Sequence, residues 1–182
     1  NIESKNYFEV LGSKNIFHFG NIKFLNKIDI GAVENENENI LKSKSYWCAA
    51  STHDVEEKFC VETHIKTKKK INNLLTIIIP RHIERSEQIK SLCLKNKLKT
   101  QIINKDDKIL NETEIAIVNS FGVLPEYLKY ARSALIGKSL LKKFKKDGGQ
   151  NPILAAQLGC QIYHGPHISN FADIYMLLKD EN

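Results

Sequence analysis

An uncharged run, Leu74–Ile79 (LLTIII), closed by Pro80, constrains this chain's fold more than any other feature. Most of its residues are β-branched and no charge interrupts it, so as a strand it must be covered on both faces. Strands of that kind sit inside parallel sheets, whose crossover connections lay helices over both surfaces. The rest of the chain supplies the other parts. Tyr46–Ala50 (YWCAA) reads as a second buried strand, and Thr100–Ile103, Ile115–Val118, Ala134–Ile136 and Gln161–His164 as shorter ones. Between them lie helical patterns over Val55–Lys69, Glu84–Asn96, Pro125–Arg132, Asn151–Leu158 and Asn170–Lys179. Ser51-Thr52-His53-Asp54 reads as an N-cap cluster for the first of these. Residues 34–39 (ENENEN) read as a solvated loop, and the aromatic stretch Asn15–Phe19 ends at Gly20. The expected class is therefore α/β: a Rossmann-like parallel sheet with helices on both faces.

With 182 residues, 42% of them hydrophobic and 26% charged, the chain suits one ordinary globular domain over residues 1–182. It opens on Asn1 rather than Met, which reads as a fragment or processed product. It holds no apolar stretch long enough for a transmembrane helix, and no signal peptide is recognisable. The four cysteines are scattered without a C-x-x-C pair, so they read as buried free thiols rather than metal ligands or disulfides. No His and acid spacing suggests a metal site, and no cofactor is expected. The net charge of +6 fits either attraction to phosphates or anionic membrane, or a merely solvated lysine-rich surface. A nucleic-acid partner is not expected, because no basic motif interleaved with aromatics is present.

In open α/β sheets, ligands sit beyond the carboxyl ends of the strands, so the residues just after each strand carry the functional reading. Ser51, Thr52 and His53 follow the first strong strand, where they serve either as anion-site donors or as plain caps. Arg81 and His82 follow LLTIII-Pro80, and an Arg there can grip a phosphate or carboxylate with two parallel bonds. Gly122 follows the IAIVN strand end, allowing close backbone approach to a ligand or simply a turn. Gly148, Gly149, Gln150 and Asn151 lead into a helix that Pro152 starts, which is a form of anion cradle. Gly137-Lys138-Ser139 is not a phosphate-binding P-loop, because position 132, where the leading Gly would stand, is Arg. Lys138, Lys142, Lys143, Lys145 and Lys146 form a basic run that, if helical, puts most of its charge on one side.

At these loops the sequence resembles the 3-deoxy-D-manno-octulosonic acid (Kdo) transferases of lipopolysaccharide synthesis. Gly20–Phe24 (GNIKF) is similar to the family's G-N-L-K-F, and Trp47–Glu57 (WCAASTHDVEE) to W-x-A-A-S-T-H-x-x-E-E. Ile79–Arg85 (IPRHIER) is similar to V-P-R-H-P-E-R, and Gly148–Pro152 (GGQNP) to G-G-H-N-P. Leu158–Cys160, Gly165–His167 and Asn170-Phe171 resemble L-G-C and G-P-H-x-x-N-F. The resemblance implies the C-terminal half of a two-domain GT-B glycosyltransferase, with CMP-Kdo as donor and a lipid A precursor as acceptor. It implies donor contacts from Ser51, Thr52, His53, Arg81, His82, Gly122, Gly148, Gly149, Gln150 and Asn151. The acceptor surface, the catalytic carboxylate and a membrane-associating region would belong to an N-terminal domain absent from this chain. The whole would work, peripherally, on the cytoplasmic face of the bacterial inner membrane, and this piece would be soluble. Two positions depart from the family: Leu154 stands where a Glu is usual after G-G-H-N-P, and Val123 where G-E-L is common. The alternatives are another nucleotide-sugar enzyme of the same fold, or a remnant without activity.

Overall fold

The computed structural model describes residues 2–17 and 28–180. The GNIKF segment, and the end of the aromatic stretch before it, lie outside those residues. The chain builds a six-stranded sheet in the order β3-β4-β2-β1-β5-β6, with every adjacent pair parallel. Its strands are β1 (Ser45–Thr52), β2 (Leu74–Pro80), β3 (Thr100–Ile103), β4 (Ile115–Val118), β5 (Ser133–Ile136) and β6 (Gln161–His164). The helices are α1 (Ile2–Val10), α2 (Glu38–Ser43), α3 (Glu56–Thr67), α4 (Ser86–Lys95), α5 (Leu124–Leu128), α6 (Ile153–Gln157) and α7 (Ala172–Asp180).

Every residue of β2 is buried, as its uncharged sequence demands, and it lies inside the sheet between β1 and β4. Alternate side chains feed two cores. On one face Cys48, Ala50, Leu75, Ile77, Val118 and Ile136 pack with Leu41 of α2, Leu128 of α5 and Tyr175 of α7. On the other, Ala49, Ile78, Ile117 and Leu135 pack with Cys60 and Val61 of α3 and Ile89 and Cys93 of α4. Both faces are thus covered, and the expected α/β class holds. All four cysteines are free and buried, and burial pushes the thiols of Cys93 and Cys160 up to about 11.

Several local expectations are corrected. Ser51 and Thr52 are not helix caps: β1 runs through both, and α3 begins only at Glu56 after Val55, with no side-chain cap. The ENENEN stretch is not simply solvated. Asn37 is buried, donates to the Asp107 carbonyl (2.9 Å) and accepts the Ile109 N–H (2.7 Å), and Glu38 already starts α2. The lysine run is not an α-helix but a single 3₁₀ turn, Lys142–Phe144, with Phe144 buried. Both α5 and α6 are five residues long, shorter than their sequence patterns suggest.

Candidate functional site

The carboxyl ends of β1, β2 and β5 meet at one corner. Between Ala50 and Thr52 the β1–β2 register shifts, and Ser51 bulges out with φ 55. Such bulges re-aim side chains beside binding sites. The two strand ends approach closely: a methyl group on Gly137 would fall against the Ser51 carbonyl oxygen and 2.7 Å from the Thr52 Cα, so only glycine fits there.

His53 is the hub of the corner. Its ring meets His82 edge-on at 5.5 Å and 87°, and Phe144 at 5.5 Å and 69°. Gln150 Nε2 lies 3.2 Å from His53 Nε2. A Gln amide donating there requires a neutral imidazole with its proton on Nδ1. Burial first, with His82, Lys138 and Arg81 adding to it, lowers the His53 pKa from the ordinary histidine value, while Glu56 opposes them. Arg81 is exposed; its backbone N–H donates to the Thr52 carbonyl (2.9 Å), and its guanidinium makes no ion pair among the described residues. Arg85, by contrast, is taken: it reaches Asp54 at 3.1 Å and Glu57 at 3.0 Å.

Beside this corner a recess of about 200 Å³ is lined by Ser51, Gln150, Asn151, Leu154 and Leu124. Its walls are mainly apolar, with the polar groups of Ser51, Gln150 and Asn151 contributing to the lining. A larger hollow of about 540 Å³ lies elsewhere, between the 34–39 segment and the ends of β3 and β4. It carries Glu34, Glu36, Glu38, Asp106, Asp107 and Glu126 against one Lys105, so an anion is repelled there despite the greater space. Among the described residues no three His, Cys, Asp or Glu side chains gather as a metal site.

The ten sequence candidates divide accordingly. Ser51, His53, Gln150 and Asn151 are brought together, with Arg81 and His82 at the same edge. Thr52 is withdrawn: its side chain is fully buried and donates to Glu57 Oε1 at 3.1 Å. Gly122 is exposed after β4 and lines neither hollow. The glycine pair is not an open cradle. Gly148 N–H donates to Ser169 Oγ, Gly149 N–H to the Lys138 carbonyl and Gln150 N–H to the Gly137 carbonyl, so these donors are already used. What the pair does instead is turn the chain, Gly149 at φ 87, so that Gln150 faces His53.

Sequence reasoning missed Glu56, Glu57 and Phe144. Glu56 accepts four backbone N–H groups, those of His53, Lys138, Ser139 and Leu140. Glu57 is buried, with its pKa raised by that burial against the pull of Arg85 and Thr52. The available signal was the adjacent Glu pair inside the WCAASTHDVEE block.

No protein-family model matches the chain. It is 32% identical over 173 residues to a 3-deoxy-D-manno-octulosonic acid transferase of Rickettsia bellii, covering 92% of this chain and 39% of that protein. It is 30% identical over 166 residues to the enzyme of the same name from Haemophilus influenzae, covering 88% of this chain and 38% of that protein. The chain therefore spans about two fifths of the length of the curated relatives it matches. Among solved structures it is similar to the C-terminal CMP-Kdo binding domain of WaaA from Acinetobacter baumannii. There the TM-score is 0.70 and the identity 26%, over 79% of this chain and 72% of that one.

Proposed function

We propose, from a chain related through about nine-tenths of its length to Kdo transferases, that it is the CMP-Kdo-binding part of a glycosyltransferase acting on a lipid A precursor. In this reading the protein has the GT-B arrangement and works peripherally at the cytoplasmic face of the inner membrane, without a resident cofactor. The acceptor would be met by the part of the relatives that this chain does not match. No helix of the described residues is long and apolar enough to cross a membrane.

The observation that carries the reading is the exposed, uncommitted Arg81 at the same strand-end edge as the His53–Gln150 pair, whose Gln150 also lines the recess with Ser51 and Asn151. CMP-Kdo carries a phosphodiester and a sugar carboxylate. When the sugar departs, charge gathers on the CMP phosphate, and a guanidinium free of any internal ion pair at a strand end can turn to it and stabilise it. Gln150, Asn151 and Ser51 offer neutral hydrogen bonds to nucleotide or sugar. An NMR titration with CMP, UDP and AMP tests this. Shifts at residues 51–53, 81–82 and 148–151, strongest with CMP, are expected, and shifts that do not favour CMP defeat the donor assignment. Arg81→Gln should weaken CMP binding about tenfold or more, the loss of one charge-assisted bond. Its unfolding midpoint should hold, since the side chain is exposed.

A second reading has one observation in its favour. Leu154, where the family has a carboxylate, lines the recess itself, and a leucine cannot accept a sugar hydroxyl. If it cripples the site, Leu154→Glu should gain CMP affinity over the natural chain.

A further inference from the structure

The first turn of α3 buries two carboxylates that the proposed donor contacts do not use. Glu56 is completely shielded. Its Oε2 accepts the N–H groups of Lys138 (2.7 Å) and His53 (2.9 Å), and its Oε1 those of Ser139 (2.9 Å) and Leu140 (3.0 Å). Successive N–H groups at a strand end form a concavity suited to an anion. Here the chain's own carboxylate fills it.

The backbone around this ring is strained at three residues that are not glycine: Ser51 at φ 55, Val55 at φ 75 and Lys138 at φ 57. Side-chain-bearing residues stay in that region only when their surroundings hold them, a β-branched valine least willingly. Glu56 holds Lys138 directly, and holds His53 midway between the other two. From the ring the ties run outward. The carbonyls of Lys138 and Gly137 accept the N–H groups of Gly149 and Gln150, and the Gln150 side chain returns to His53.

We propose that Glu56 is a positioning residue of the donor site: by filling the ring at the end of β5 while also gripping the His53 backbone, it sets the spacing between His53 and Gln150. The inference rests on the donor reading only for what the corner binds. Glu56 itself, buried beneath the ring, touches no ligand.

Glu56→Gln keeps the side-chain volume but sets an NH₂ against N–H donors and removes the charge. Hydrogen exchange of the Lys138, Ser139 and Leu140 amides should quicken about tenfold or more while the central strands stay protected. The His53 ring, which also faces His82, Lys138, Arg81 and Asp147, should titrate at lower pH than in the natural chain once the Glu56 carboxylate is neutral, with Asp147 left to support the charged ring. The Kd for CMP should rise about tenfold. Glu56→Asp, charged but one methylene shorter, should recover much of the His53 titration and little of the amide protection. If Glu56→Gln leaves both exchange and titration unchanged, the proposal is wrong, whatever happens to CMP. If the natural chain binds no CMP, the donor reading fails while exchange and titration still judge Glu56. Should the Gln variant not fold, the natural chain decides: rapid exchange of the 53 and 138–140 amides overturns the proposal, and strong protection, lost in Glu56→Asp, upholds it.

Discussion

His64 ends the buried face of α3. Its Nδ1 lies 2.9 Å from Thr76 Oγ1 and its Nε2 has no partner among the described residues. Burial pulls its pKa down to about 4. The folded value is below the ordinary histidine value, so on acidification the unfolded chain takes up the proton first. The stability that His64 contributes as a neutral ring is therefore whole above about pH 6.5 and drains away towards about pH 4, by roughly 3 kcal/mol. Urea midpoints should fall between about pH 7.5 and about pH 4.5, and His64→Gln should flatten that fall. An equal slope in both proteins would place the acid sensitivity elsewhere. The same residue shows why burial has to be seen rather than read: a histidine in a lysine-rich helix end (HIKTKKK) looks solvated until Thr76 of β2 is set against it.

At the scale of elements, α3 starts under strain. Val55 precedes it at φ 75 with its side chain half exposed. Val55→Gly removes the clash of a left-handed β-branched residue and sheds little buried surface. Against the added chain entropy of glycine, a net gain of about 0.5–1 kcal/mol is expected in thermal or urea unfolding. A loss would mean that the valine side chain packs more than its exposure suggests. Strands and helix starts also show what the sequence discloses. The limits of β3, β4 and β6 match the segments read from the sequence, but only in β4 does burial on both faces explain the match; β3 and β6 are edge strands, and β6 is largely exposed. Ser51-Thr52-His53 looked like a cap because hydroxyls before a helical pattern usually are; the bulge that displaces Ser51 depends on β2 and β5, far along the chain. The roles of Glu56 and Glu57 were not legible in the sequence, since the N–H groups that Glu56 binds at the end of β5 lie 82–84 residues later. Asn37 was hidden in the same way by partners 70 and 72 residues distant.

For the whole molecule, the charge of +6 is not spread evenly in effect. Lys138 is tied to Asp147 at 2.7 Å, and Lys143 lies 3.9 Å from Asp54, but Lys142, Lys145 and Lys146 make no ion pair among the described residues. All three are exposed close to the His53–Gln150 corner, and in the proposed reading an anionic membrane surface would meet them there. Replacing Lys142, Lys143, Lys145 and Lys146 with Gln should weaken binding to vesicles of anionic lipid by about 1 kcal/mol per lysine in contact, and leave CMP affinity within about twofold. Equal vesicle binding by both forms would reject the membrane contact. The strand order has a consequence in time as well as in space. Until the segment from residue 133 has left the ribosome, β1 has a neighbour on one side only, and Glu56 lacks the N–H groups of Lys138, Ser139 and Leu140. Docking of the β5 segment then gives β1 its second neighbour, across a loop long enough to make that step slow, and Gln150 and β6 follow it to finish the corner and the sheet. A nucleotide that favours the finished corner cannot hasten its assembly; it lengthens the life of the assembled state by holding back the first move of unfolding.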